Sequence, residues 1–153
     1  MNIPAPQGEY LPVVVHNGIA YAAGMTPRAD GQLMFTGLVG SDIDLIDAAA
    51  AAHLAAGNAL LAIRLSLPEG TGIDRCLRMT VYVASAPGFA QHSAVADGAS
   101  RRLREDLGES GAVARSAVGV ASLPGNAPVE VELTVALGLV VPRYADRAAA
   151  RTC

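Results

Sequence analysis

Two stretches near the C-terminal end carry the clearest alternation of apolar and polar positions. In one, Val129, Val131, Leu133, Val135 and Leu137 fall on one side and Glu130, Glu132 and Thr134 on the other, the period of a half-buried strand. In the other, Ser116, Val118 and Val120 share one face and Arg115, Ala117 and Gly119 the other. Residues 123–128, with their Pro and Gly, form the turn between them. If both apolar faces pack on a core, one guanidinium and two carboxylates stand together on the opposite side, above a floor of Ala and Gly. That leaves room for a small ligand.

The same reading extends along the chain. Residues 1–9, with Pro4 and Pro6, form an extended lead-in. Val13–Val15 and a strand from Ile19 to Gly24 flank His16-Asn17-Gly18, a strong hairpin signal. Pro27 and Asp30-Gly31 break pairing before a short strand at 32–35. Ser41 through Asp44 matches a helix start, and the helix runs from about Asp42 to Leu65, with Leu54, Leu61, Leu65, Ala50 and Ala51 as its apolar stripe. A strand from Ile73 places Leu77, Met79, Val81 and Val83 on one face and Arg78, Thr80 and Tyr82 on the other. A second helix opens at Ser85-Ala86-Pro87-Gly88, buries Val95, Ala99, Leu103 and Leu107, and stops at Gly108. Pro142 ends the last strand ahead of a tail. The order β-β-(short β)-α-β-α-β-β fits an α+β domain over residues 10–140, one sheet with both helices on one face, and a tail over 141–153.

Composition changes this picture in one respect. Hydrophobic residues make up 52% of the 153 and charged residues only 16%, so the uncovered sheet face is expected to be hidden against partner subunits. All eleven basic residues are arginine, which excludes lysine Schiff-base catalysis and a Walker A phosphate loop. A net charge of −3 counsels against a nucleic-acid partner. Arg101, Arg102 and Arg104, interleaved with Glu105 and Asp106, read as a solvated helix face. His16, His53 and His92 lie far apart and lack metal-ligand spacing, Cys76 reads as a buried inert thiol and Cys153 as a tail thiol, and no cofactor is implied. No signal-peptide pattern opens the chain, and the Ala-rich segment near residue 50 is interrupted by His53, Asn58 and Arg64, so no membrane partner and a cytoplasmic location are expected.

The chemistry rests on Arg115 and the glutamates. Arginine offers a planar fork that pairs bidentately with a carboxylate, and a glutamate can orient or deprotonate a water. The group suggests a site that grips a small acid and delivers water to it. A surface ion pair of Arg115 with Glu130 or Glu132 is the alternative reading.

The stretch Ala114-Arg115-Ser116-Ala117-Val118-Gly119-Val120-Ala121-Ser122-Leu123-Pro124, followed by Val129-Glu130-Val131-Glu132, resembles the C-terminal signature of the RidA family, also called YjgF or endoribonuclease L-PSP. It is most similar to the branch of longer chains with an Ala-Arg-Ser-Ala-Val-Gly signature. Residues 95–100 resemble a segment of that branch in which Asn is frequent at the position of Asp97; they help assign the branch and carry no chemistry of their own.

The resemblance implies a chorismate-mutase-like α+β fold, a homotrimer with ligand clefts between subunits, and hydrolysis of 2-aminoacrylate-type enamines and imines to 2-keto acids and ammonia. It implies Arg115 as the substrate-carboxylate clamp and Glu130 as the group that positions water. Gly24 corresponds to a glycine lining the cleft and Tyr10 to a tyrosine facing the ligand from the neighbouring subunit. Ala117 stands where the best-studied branch has cysteine, and Ser93 where many relatives have a site asparagine. Two other functions stay open: a trimer that binds a small carboxylic metabolite or a partner protein without turnover, and a pathway-specific deaminase or ribonuclease.

Overall fold

A computed structural model describes residues 8–139. The predicted tail over 141–153 and most of the predicted lead-in lie outside the described residues.

The chain folds as β1 (Val13–His16), β2 (Ile19–Met25), β3 (Arg28–Ala29), β4 (Gln32–Leu33), α1 (Leu45–Ser66), β5 (Thr71–Ala84), α2 (His92–Leu107), β6 (Ala114–Val120) and β7 (Val129–Leu139), with short 3-10 turns after α2 and before β7. Five strands form one mixed sheet in the order β1-β2-β7-β5-β6, and β3 and β4 make a small separate hairpin. β5 and β6 run parallel, as a strand-helix-strand crossover through α2 requires. All other pairings in the sheet are antiparallel. The α+β expectation and the single sheet backed by two helices hold.

The core lies between the sheet and the helices. Val131, Leu133 and Val135 of β7, Met79, Val81 and Val83 of β5 and Ala20 and Ala22 of β2 point into it. Opposite them no described element covers the sheet, and Val14, Tyr21, Leu77 and Val118 are exposed there or along its edge.

Five details of the sequence reading change. β5 carries two bulges, one between Cys76 and Arg78, so Cys76 turns into the core and Leu77, expected inside, is exposed. α1 begins at Leu45 rather than near Asp42: Asp44 is its cap, its Oδ1 accepting from the Asp47 N–H at 2.9 Å, while Asp42 instead accepts from the Leu38 N–H. α2 begins at His92, because residues 85–91 form a loop tied back to Val39 and Val120. The buried residues of α1 include Ala48, Ala51, Ala52, Ala55, Ala56, Ala59, Ala62 and Ile63 with Leu60, while Ala50 and Leu65 face out. Alanines, not leucines, mark the inner face because α2 packs so closely: a Cβ on Gly98 would come within 2.7 Å of the Ala49 carbonyl carbon. By length and apolarity α1 could span a bilayer, contrary to the sequence reading, yet most of that stretch is buried inside this fold.

Asn58, one of the few polar residues of α1, is buried, and its amide donates to the Thr26 and Arg28 carbonyls at 3.0 and 2.9 Å. It pins the segment between β2 and β3 against the helix.

Candidate functional site

The parallel register of β5 and β6 decides where the signature residues point. Met79 sits opposite Arg115 and Val81 opposite Ala117, so these two β6 residues share the helix-side face with the core row of β5. Arg78, Thr80 and Tyr82 lie beside Ser116 and Val118 on the other face. Glu130 and Glu132 stand opposite Tyr82 and Thr80 and belong to that other face too. Two hydrogen bonds mark it: Arg78 Nη2 to Ser116 Oγ at 2.7 Å, and the Tyr82 hydroxyl to Glu132 Oε2 at 3.0 Å. The expectation that Arg115 and Glu130 share one face is therefore corrected. The physical reason is that β6 is an edge strand with α2 packed against it, and a long guanidinium at that edge reaches the helix instead of needing solvent.

Arg115 ties β6 to α2. Its Nη1 donates to Asp97 Oδ1 at 2.9 Å and to Ser100 Oγ at 2.8 Å, and its Nη2 donates to Ser93 Oγ at 2.9 Å and to the Ser93 carbonyl at 3.3 Å. The segment 95–100, assigned no chemistry from sequence, thus supplies two of the three residues that hold this arginine. The signal was present: Ser93, Asp97 and Ser100 recur at i, i+4 and i+7, one face of a helix. Ala117 packs against the core beside them. Further along the same face His92 lies over Gly119 and shares a hydrogen bond of 3.2 Å with Ser85.

The second cluster surrounds Glu130. β2 bulges between Ala22 and Met25, and Gly24 at that bulge lies directly against the Glu130 side chain: a Cβ there would approach its Cγ to 2.8 Å. Only a glycine leaves the carboxylate its place. A cavity of about 350 Å³ opens over the pair, walled by Tyr10, Thr26, Arg28 and Pro124. Burial, with the neighbouring Glu132 charge adding to it, pushes the Glu130 carboxyl above the usual carboxylate range. Tyr82 is shifted upward as well, first because its hydroxyl is held by Glu132.

Of the residues expected from sequence, Tyr10, Gly24 and Glu130 line one cavity, whereas Arg115, Ser93 and Ala117 form a separate group beside α2. Sequence reasoning missed Arg28, which it read only as part of a turn. Burial raises the Cys76 thiol to about 11 against a smaller opposing effect of Arg64, in keeping with an inert thiol. His53 bonds Glu105 at 2.7 Å, and among the described residues no three His, Cys, Asp or Glu side chains gather as a metal site.

A family model described as Endoribonuclease L-PSP matches residues 1–137. The chain belongs to the endoribonuclease L-PSP family. Among curated relatives of this L-PSP chain is Protein TCP17 of Trypanosoma cruzi, 34% identical over 134 residues that cover 87% of this chain and 84% of that protein. Among solved structures, Atu1372 of Agrobacterium tumefaciens, a protein of unknown function, superposes with a TM-score of 0.80 at 37% identity, covering 88% of this chain and 85% of the other. The YjgF gene product of E. coli superposes with a TM-score of 0.61 at 22% identity over 88% and 93% of the two chains, a likeness of fold.

Proposed function

We propose that this L-PSP family member is an enamine/imine deaminase that hydrolyses 2-imino acids to 2-keto acids and ammonia, in clefts completed between the subunits of a homotrimer. The observation that carries the proposal is the Glu130 carboxylate, lying on bare Gly24 at the edge of a small cavity and made more basic by burial. A carboxylate of raised pKa is a better proton acceptor for a water it holds.

In the proposed reaction, Glu130 orients a water beside the C2 carbon of the protonated imine and takes its proton as the C–O bond forms. Glu130 returns that proton to the carbinolamine nitrogen, the C–N bond breaks to release ammonia, and the hydroxyl proton passes through Glu130 to the ammonia as C2 becomes a carbonyl. Imine and water enter; keto acid and ammonium leave. The imine carbon is already electrophilic, so placement beside an oriented water supplies most of the advantage.

The faces support a second copy. Arg115 and Glu130 stand on opposite sides of one sheet, an arrangement in which the Arg115 of one chain would complete the cleft at the Glu130 of another. The exposed Val14, Tyr21 and Val118 give the bare face the apolar character that such an assembly covers. All four bonds of the Arg115 brace use Nη1 and Nη2, so a substrate carboxylate reaches this clamp through Nε or by competing with Ser93 and Asp97. That occupancy favours, as a second reading, a trimer that binds a carboxylic metabolite without turning it over.

Generating 2-iminopropanoate and 2-iminobutanoate in situ with an amino-acid oxidase, and trapping the remaining imine with semicarbazide, separates the two. The deaminase suppresses semicarbazone formation and Glu130→Gln does not, while both sediment as trimers. If the wild-type protein leaves the signal unchanged where an active family member lowers it, the deaminase reading is wrong.

A further inference from the structure

Within one chain, the arginine that shares a cavity with Glu130 is not Arg115 but Arg28. It opens β3 and lines the same wall system as Tyr10, Gly24, Thr26 and Pro124. Its position is fixed at both ends. Asn58 holds its carbonyl at 2.9 Å, and its own Nη1 donates to the Gly31 carbonyl across the hairpin at 2.8 Å.

The rest of the guanidinium is unspent. Nε is shut away from solvent with no acceptor, and Arg28 makes no ion pair among the described residues, although Glu130 lines the same cavity. Nη1 is already committed to Gly31, so Nη2 is the donor left for a carboxylate in the cavity, and the occluded Nε adds the second bond of the side-on fork once the side chain turns toward the ligand. Among the described residues Arg28 is also the one cationic side chain in the cavity lining, where a ligand otherwise meets the Glu130 carboxylate. The cavity, at about 350 Å³, has room for an acid longer than a three-carbon imine.

We propose that Arg28 is an anion-binding residue of this cleft and selects substrates with a second, distal carboxylate, so that the preferred class is dicarboxylic 2-imino or 2-enamino acids. The proposal deepens the deaminase reading and rests on it for the reacting group at C2. The 2-carboxylate goes to Arg115 of a neighbouring copy and the distal one to Arg28.

The test uses keto-acid products as ligands that need no turnover. Calorimetry compares 2-oxoglutarate with 2-oxobutanoate on the wild-type protein, Arg28→Gln and Arg28→Lys, with circular dichroism and sedimentation as controls for fold and assembly. A hydrogen-bonded charge pair of this kind corresponds to a preference of about 10- to 100-fold for the dicarboxylate. That ratio falls to about 1 in Arg28→Gln and to an intermediate value in Arg28→Lys, which keeps the charge but loses the fork. A wild-type ratio near 1, a ratio unchanged by either substitution, or no binding of 2-oxoglutarate at millimolar concentration overturns the proposal. Should Arg28→Gln fail to fold, Arg28→Lys decides alone. A high ratio in a protein that clears no imine refutes the deaminase reading and leaves Arg28 as an anion site; imine clearance with a ratio of 1 does the reverse.

Discussion

Replacing Arg115 separates a brace from a free clamp. A free clamp would contribute nothing to folding, whereas the structure gives Arg115 four bonds to three residues of α2. Its side chain is 18% exposed and that of Asp97 is 64% exposed, so screening by solvent reduces the ion pair to roughly 0–1 kcal/mol. Each bond from the guanidinium to Ser93 and Ser100 adds about 1 kcal/mol net, and the serine hydroxyls left behind can turn to water. Arg115→Ala should therefore lose about 2–3 kcal/mol, and Arg115→Lys about half of that, since an ammonium cannot reach Asp97, Ser100 and Ser93 together. Urea unfolding at one fixed protein concentration measures this as a midpoint lowered by about 1 M. A double-mutant cycle with Asp97→Asn should return a coupling below about 1 kcal/mol, with most of the loss remaining when Asp97 is absent. A loss under about 0.5 kcal/mol for Arg115→Ala would show that the α2 contacts contribute nothing and would refute the brace. It would also restore Arg115 as a clamp unencumbered in the free protein.

Three further outcomes are expected. Glu130→Gln should be more stable than wild type at neutral pH: a carboxyl raised by folding stabilises only while protonated, so its contribution is present at low pH and lost as pH rises through its folded pKa. The variant's advantage should shrink on acidification, and thermal melts at several pH values giving a constant difference would contradict this. Gly98→Ala should destabilise by roughly 1–3 kcal/mol although alanine is the better helix former, because its Cβ would press on the Ala49 backbone; a raised melting temperature would mean that α1 and α2 have space to part. Asn58→Ala should cost about 1–3 kcal/mol by removing the amide donor of the Arg28 carbonyl and leaving the Thr26 carbonyl with the Arg28 N–H alone, and amide exchange in the β3–β4 hairpin should quicken; unchanged exchange would show that the hairpin is held by something else.

The period-2 pattern of β7, the Asn17-Gly18 turn and the amphipathic spacing of α2 were all legible in the sequence, because each depends on neighbours a few residues apart. So, through the signature at 114–124 and 129–132, was the family. What the sequence left undetermined are matters of register and long-range pairing. Alternation shows that Arg115 and Ala117 share a face of β6 but not which face turns inward; pairing of Met79 with Arg115 settles that. One extra residue in β5 reverses Cys76 and Leu77, and a bulge leaves no mark on hydropathy. An alanine-rich helix names no inner face until a second helix packs on it. Arg28 looked like a turn residue because nothing near it in sequence reveals that β2, β7 and a hairpin held by Asn58 would set it in the same cavity as Glu130. Local chemistry is written residue by residue, whereas the meeting of distant side chains is decided by strand register and close packing, where a shift of one residue turns a side chain to the opposite face.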